Sequence, residues 1–336
     1  MSRKIQVSHP VSSHIERLQK CPGLLYGLVI GHVSGKELMV VHLARTPSEE
    51  NDRPKEEVQE NVAKISEIDS GWVAEHVKQA RAMLPGGMDV QGLFFVSEED
   101  IFKKHNAIVL SCLKQVKEQV KADDSSLWPV FHISSKSIVL KSISISDPAK
   151  SKVNSYEVAD LQWLCLKANL ILDQPLAFTE EKTDCPLNEK LEAAVKKLEI
   201  SLNEATMLLN GQFRKNSDLL YAKSSKKETG SKGKKGKKGQ YKDDSTATEA
   251  SCDENLDEPG YKSIKDFEVD ILFADSCSSL DDCVISEVKS KMQIMGRMCA
   301  RAFVHQNATV EQAIKALKED ILRTFKGKLS FFKLVL

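Results

Sequence analysis

The sequence predicts an α+β (mixed α/β) fold in two domains, on three observations. Apolar runs of strand length alternate with apolar residues spaced three and four apart. Hairpin signals join several of the strands, and a lysine- and glycine-rich block interrupts the second half. A length of 336 residues suits two domains, and 41% apolar content is enough to build a core in each.

Residues Ile5 to Leu18 carry an extended start and then a short helical pattern, which Cys21-Pro22-Gly23 breaks. Leu24 to Val33 is a near-continuous apolar run and Glu37 to Leu43 a second. They join at Ser34-Gly35, so a hairpin with a buried first strand is expected. Arg45-Thr46-Pro47 ends it. The charged stretch from Ser48 to about Glu67, with Pro47 and Pro54 at its start, reads as a solvated loop. A helix then starts with Asp69 or Ser70 as N-cap. It carries Trp72, Val73, His76, Val77, Ala80 and Leu84 on one face and stops at Pro85-Gly86-Gly87. Asp89 to Val96 is a strand. Ser97-Glu98-Glu99-Asp100 places acids where a helix N-terminus favours them, and Ile101, Phe102, His105, Ile108, Val109, Cys112, Leu113 and Val116 predict one long helix to about Val120. Trp128 to Ile133 and Ile138 to Ile145 are two more strands, and Asp147-Pro148 closes a first domain over residues 1–150.

The second, smaller α+β domain is expected over 155–221 and 261–330. From Leu164 to Leu172, alternate leucine and alanine positions face Lys167, Asn169 and Asp173, which describes a strand with one wet face. Leu187, Leu191, Ala194, Val195, Leu198, Leu202, Ala205 and Leu209 predict a helix that Asn210-Gly211 ends. Residues 222–260 differ in composition: a Lys/Gly/Ser block over 231–240, then an acidic tract from Asp253 to Glu258, read as a disordered insertion. Strands follow near Ile264 to Phe273 and Lys291 to Val304. The last helix has Thr309 and Gln312 as capping box and Val310, Ala313, Ile314, Leu317, Ile321 and Phe325 buried.

The composition narrows the function classes. Net charge is zero and aromatics are 6%, so neither a general field for nucleic acid nor a base-stacking surface is expected. None of the eight cysteines forms C-x-x-C, which argues against a redox couple or a zinc ribbon. The start has no apolar signal region and no stretch reaches the roughly 20 apolar residues of a membrane span. A cytosol-facing protein in a reducing compartment is therefore expected, with membrane association only indirect. Gly27-x-x-x-Gly31 lacks the Lys-Ser/Thr of a phosphate loop, and no G-x-S-x-G occurs. His9 and His14 are five apart, His76 has no second ligand at helical spacing, and His42 and His132 could meet only through the fold. No metal and no cofactor are expected, and the chain reads as a non-catalytic binding or scaffold protein.

Two resemblances sharpen this. Leu24-Leu-Tyr-Gly-Leu-Val-Ile-Gly31, followed by Val90-Gln-Gly-Leu-Phe-Phe-Val-Ser97, resembles the MPN fold of the zinc isopeptidases that process ubiquitin-like modifiers, which implies a three-layer first domain. In active members an acid opens the first segment, H-x-H-P closes the second strand, and an aspartate lies beyond. Those positions fall here on Leu24, on Phe95, Ser97 and Glu98, and on Val109, so the resemblance implies a metal site without its ligands. More narrowly, Gly27-Leu-Val-Ile-Gly31, Ala44-Arg-Thr-Pro47, Trp72-Val-Ala-Glu-His76, Met83-Leu-Pro-Gly-Gly87, Cys299-Ala-Arg-Ala-Phe303 and Ala313 to Leu322 resemble, in order and separation, the odorant response abnormal protein 4 family.

That family resemblance implies association with the endoplasmic reticulum, on its cytosolic face, and help in folding and transport of a subset of G-protein-coupled receptors. It also implies recruitment of the protease of the ubiquitin-fold modifier pathway. Members usually end in a membrane anchor, which this sequence does not show. The leading expectation is a pseudoenzyme adaptor with Arg45, Thr46, Pro47, Trp72, Pro85, Gly86 and Gly87 as contact residues. Beside that role, Trp72 also reads as core and Pro85-Gly86-Gly87 as a helix stop. Two alternatives stay open: an active metal-dependent isopeptidase with rearranged ligands, and a nucleic-acid-associated protein acting through lysines 231–239, for which the neighbouring acidic tract makes a solvated loop the commoner meaning.

Overall fold

A computed structural model of the chain describes residues 4–47, 64–121, 127–147, 150–178, 187–221, 263–273 and 290–335. The fold is α+β, built on two sheets. Of the loop expected from Ser48 to about Glu67, residues 48–63 lie outside the described residues, as does the insertion over 222–260, while Ile65–Glu67 form a 3-10 turn.

Strand β1 (Lys4–Ser8) runs directly into helix α1 (His9–Leu18), whose first turn holds Pro10, where a missing N–H breaks no helical bond. Strands β2 (Leu25–Ser34) and β3 (Glu37–Arg45) form the expected hairpin. Helix α2 (Ser70–Met83) is capped by Asp69, whose carboxylate accepts from Gly71 N at 2.7 Å. Strand β4 (Asp89–Val96) follows.

The single helix expected after it is two, α3 (Ile101–Lys104) and α4 (Asn106–Val120). The cap is Asp100, which accepts from Phe102 N and Lys103 N at 3.1 and 3.2 Å. At His105 the backbone leaves helical geometry (φ −128°, ψ 24°), and its Nε2 is held by Glu99 at 3.0 Å. An apolar period that continues through a break conceals the break, because α4 resumes on the same buried face with Val109, Cys112, Leu113 and Val116.

Strands β5 (Leu127–Ile133) and β6 (Ile138–Ser144) complete the expected set, but the sheet does not end at residue 150. Two short strands, β7 (Lys152–Asn154) and β8 (Tyr156–Ala159), give the order β7-β6-β5-β4-β2-β3-β1-β8. β7 pairs with β6 and β8 with β1, yet only Ser155 separates them. The two ends of the strand order are thus one continuous segment, which closes the sheet on itself and carries the first body to Ala159. α1 lies on one face with Val7, Val40, Phe94 and Phe131, while α2 and α4 lie on the other with Leu28, Leu93, Phe95 and Val130. That is the expected three-layer arrangement.

The second body holds β9 (Trp163–Phe178), α5 (Leu187–Glu204), β10 (Thr206–Leu209), β11 (Ser263–Leu272), β12 (Ser290–His305) and α6 (Val310–Val335), in sheet order β10-β11-β9-β12. α5 and α6 share a core with one sheet face, through Leu191, Leu198, Leu202, Leu317, Ile321 and Phe325. Asn169, Ile171 and Asp173 stay exposed between buried Ala168, Leu170 and Leu172, the wet face that the alternation predicts. The helix expected to reach Leu209 stops at Glu204; residues 206–209 form an edge strand antiparallel to β11. Met207 and Leu209 are buried two apart, a spacing that fits a strand and that the preceding helical period masks.

Candidate functional site

Three of the positions that the MPN resemblance sets against zinc ligands, Leu24, Phe95 and Val109, belong to the core cluster on the α2/α4 side of the first sheet. Phe95 and Val109 are fully enclosed and Leu24 packs against the same cluster. Zinc requires nitrogen, sulfur or carboxylate donors converging at about 2 Å, and these three side chains supply hydrocarbon, so the residues present do not fit a zinc ion. Ser97, at the end of β4, is engaged in hydrogen bonds that tie β4 to β5 and to the turn that follows it. Its N donates to Ile133 O at 3.0 Å, its Oγ accepts from Glu99 N at 3.1 Å, and its O accepts from His132 Nε2 at 3.0 Å. Glu98 accepts from Ser135 N and Oγ, both at 2.9 Å, and these bonds hold its carboxyl below the usual range. Among the described residues no group of three His, Cys, Asp or Glu is arranged to hold a metal ion.

Nucleophilic chemistry finds no better footing in this core. Cys112 is buried, and burial, with Asp69 nearby, pushes its thiol up to about 11. A nucleophilic cysteine needs the opposite shift. His42 and His132 do not form a pair: His42 stacks on His14 with ring centroids 6.4 Å apart, and His132 meets Phe102 edge-on.

The expected contact residues divide between the two ends of α2. At its N-terminal end the chain leaving β3 is clamped to the helix. Thr46, 4% exposed, bonds His76 Nδ1 through its Oγ1 at 3.0 Å, and its N donates to Tyr26 O at 2.9 Å. Burial lowers the His76 pKa, which keeps the imidazole neutral for that bond. Trp72 is half-buried and its Nε1 donates to Pro47 O at 2.7 Å. Arg45 and Pro47 face solvent from this corner.

At the C-terminal end, Gly86 is buried while Pro85 and Gly87 are half-buried, and the turn packs against the second sheet. Gly86 N donates to Arg301 O and Gly86 O accepts from Phe303 N, both at 2.9 Å, forming a parallel bridge on the edge of β12. A Cβ on Gly86 would lie 2.2 Å from Ala316 O and 2.9 Å from Asp320 Cβ. Gly87 has φ +82° and its carbonyl accepts from His32 Nδ1 at 2.7 Å. Asp320 accepts from Arg301 N at 2.9 Å, with its carboxyl raised by burial, and Arg323 Nη1 donates to Leu84 O at 3.0 Å. Trp163 completes the seam, set edge-on between His32 and His305 at centroid distances of 5.8 and 6.2 Å. Burial lowers the pKa of both histidines. His32, Trp163, His305, Asp320 and Arg323 carry no local sequence signal for this role, since each partner is distant in the chain.

These features define a two-sheet α+β protein with an exposed corner at the start of α2 and an internal seam between its sheets. The chain belongs to the ODR4-like family (odorant response abnormal 4-like), whose family model matches residues 27–331. Among curated relatives, a protein odr-4 homolog from Xenopus laevis is 26% identical, covering 98% of this chain and 71% of its own length. That of Mus musculus is 25% identical over 96% and 70%, and that of Drosophila melanogaster 20% over 96% and 71%. Among solved structures, UfSP from C. elegans aligns at TM-score 0.40 and 9% identity, over 98% of this chain and 46% of its own. Among the described residues, no helix is long and apolar enough to cross a membrane.

Proposed function

We propose that the chain is a non-catalytic adaptor at the cytosolic face of the endoplasmic reticulum, which assists folding and trafficking of a subset of G-protein-coupled receptors and recruits the protease of the ubiquitin-fold modifier pathway. Membership of the ODR4-like family supports the receptor-related role. The observation that carries the adaptor reading is the enclosure of Phe95 and Val109, with Leu24 beside them, where an isopeptidase would present metal ligands. An MPN-type body without its metal retains its surface as its working part. The docking corner in this reading is Arg45, Thr46, Pro47 and Trp72: the side-chain bonds of Thr46 to His76 and of Trp72 to Pro47 O fix the geometry, and exposed Arg45 and Pro47 meet the partner.

The test is affinity capture with the tagged full chain from its source cells, comparing wild type with Arg45→Glu, and metal analysis of the purified protein. The ubiquitin-fold modifier protease is expected with wild type and depleted at least severalfold with Arg45→Glu. Its absence from the wild-type capture, or one zinc per chain in the purified protein, overturns the proposal.

A further inference from the structure

β12 is bonded to β9 along its whole length, from Ser290 to His305, in a register without a bulge. On its opposite edge, among the described residues, Gly86 takes Arg301 O and Phe303 N and the Asp320 carboxylate takes Arg301 N, all at the C-terminal end of the strand. Backbone groups alternate in direction along a strand, so the N–H and C=O of Gln293, Met295, Arg297 and Cys299 point the same way as those of Arg301 and Phe303, away from β9. A strand edge of this kind invites another strand unless proline, a bulge or a cover blunts it, and this one has neither proline nor bulge. On the uncovered sheet face beside it, Met295 is 70% exposed and Ile171 79% exposed, on neighbouring strands. Arg297 is exposed one position further along the edge row, opposite Ile171. Asp173, opposite Met295, accepts from Gln293 Nε2 at 2.5 Å.

We propose that β12 pairs antiparallel with β12 of a second copy about a twofold axis at Met295, joining the two four-stranded sheets into one of eight. The charge pattern selects this occupant. Centring on Met295 sets Gln293 opposite Arg297 of the second copy, so each guanidinium comes beside the Gln293–Asp173 pair of the other chain. Centring on Arg297 or Cys299 would instead set arginine against arginine. The same axis brings the Met295 side chains of the two copies together with Ile171 on either side, giving the exposed apolar residues a shared cover.

Sedimentation velocity over a concentration series of the full chain tests this. The mass is expected to rise to twice the 37.5 kDa of one chain. Met295→Pro removes an N–H that faces away from β9, so it is expected to leave the fold intact and abolish the dimer. Arg297→Glu is expected to weaken the dimer at least tenfold, and Arg297→Glu with Asp173→Arg to restore it, a comparison that holds even if the proline variant does not fold. A single-chain mass at every concentration overturns the proposal, as does a dimer indifferent to both Met295→Pro and Arg297→Glu.

Discussion

Gly86 shows how a single residue can be mistaken for a surface feature. Pro85-Gly86-Gly87 reads naturally as a helix stop, and α2 does end before it. Yet the absence of a side chain at 86 is required by a distant element, because Ala316 O would lie 2.2 Å from a Cβ placed there. Gly86→Ala must push α6 from β12 or break the bonds of Gly86 to Arg301 and Phe303. It is therefore expected to cost about 1–3 kcal/mol, the range of an overpacked core, read as a lower urea midpoint at unchanged slope. A loss under about 0.5 kcal/mol, as for an ordinary surface substitution, would show that the seam yields freely. The candidate metal positions invert this lesson. Phe95 and Val109 are apolar side chains whose burial follows from residue type, whereas nothing local marks His32 or Asp320 as seam residues.

At the scale of elements, the local signals that succeeded are those whose partners lie within a few residues. The capping box of α6 is one: Gln312 N donates to Thr309 Oγ1 at 3.3 Å and Thr309 N to Gln312 Oε1 at 3.1 Å, as the spacing predicts. Thr309→Ala is expected to cost about 1 kcal/mol, measured by thermal or urea denaturation, while Thr309→Ser is expected to retain most of it. Equal losses in the two variants would assign the effect to the methyl group instead of the cap. Periodicity failed where two elements meet in phase, at the α3/α4 break and at the change from α5 to β10. It also missed the closure of the first sheet, because β7 and β8 are too short to carry a pattern and owe their place to pairing with β6 and β1. The seam lay beyond reach for the same reason: His32 and Gly87 are 55 residues apart in the chain, and Arg323 and Leu84 are 239 apart.

For the whole molecule, the seam makes the junction of the two sheets sensitive to acid. His32 and His305 flank Trp163, both largely enclosed, and burial, with mutual repulsion at His305, lowers their pKa from 6.5. Gly87 O and Glu37 act in the other direction without reversing the shift. A histidine whose folded pKa is depressed binds a proton more readily once exposed, so its contribution to stability is fully present above 6.5 and is lost as pH falls from 6.5 through the folded value. Asp320, raised from 3.8 by burial, has the opposite sign: as pH falls, the folded state takes up its proton first. The histidine contribution is therefore isolated by comparing wild type with a His32→Asn, His305→Gln double variant, in which Asp320 is unchanged. Between about pH 7.5 and about pH 5.5 the wild type is expected to lose more melting temperature than the double variant, with Trp163 emission shifting to the red first as the seam opens. Parallel melting curves across that interval would mean that the junction stays closed through both protonations and that its strength rests on the Gly86 bridge and the Arg323–Leu84 bond.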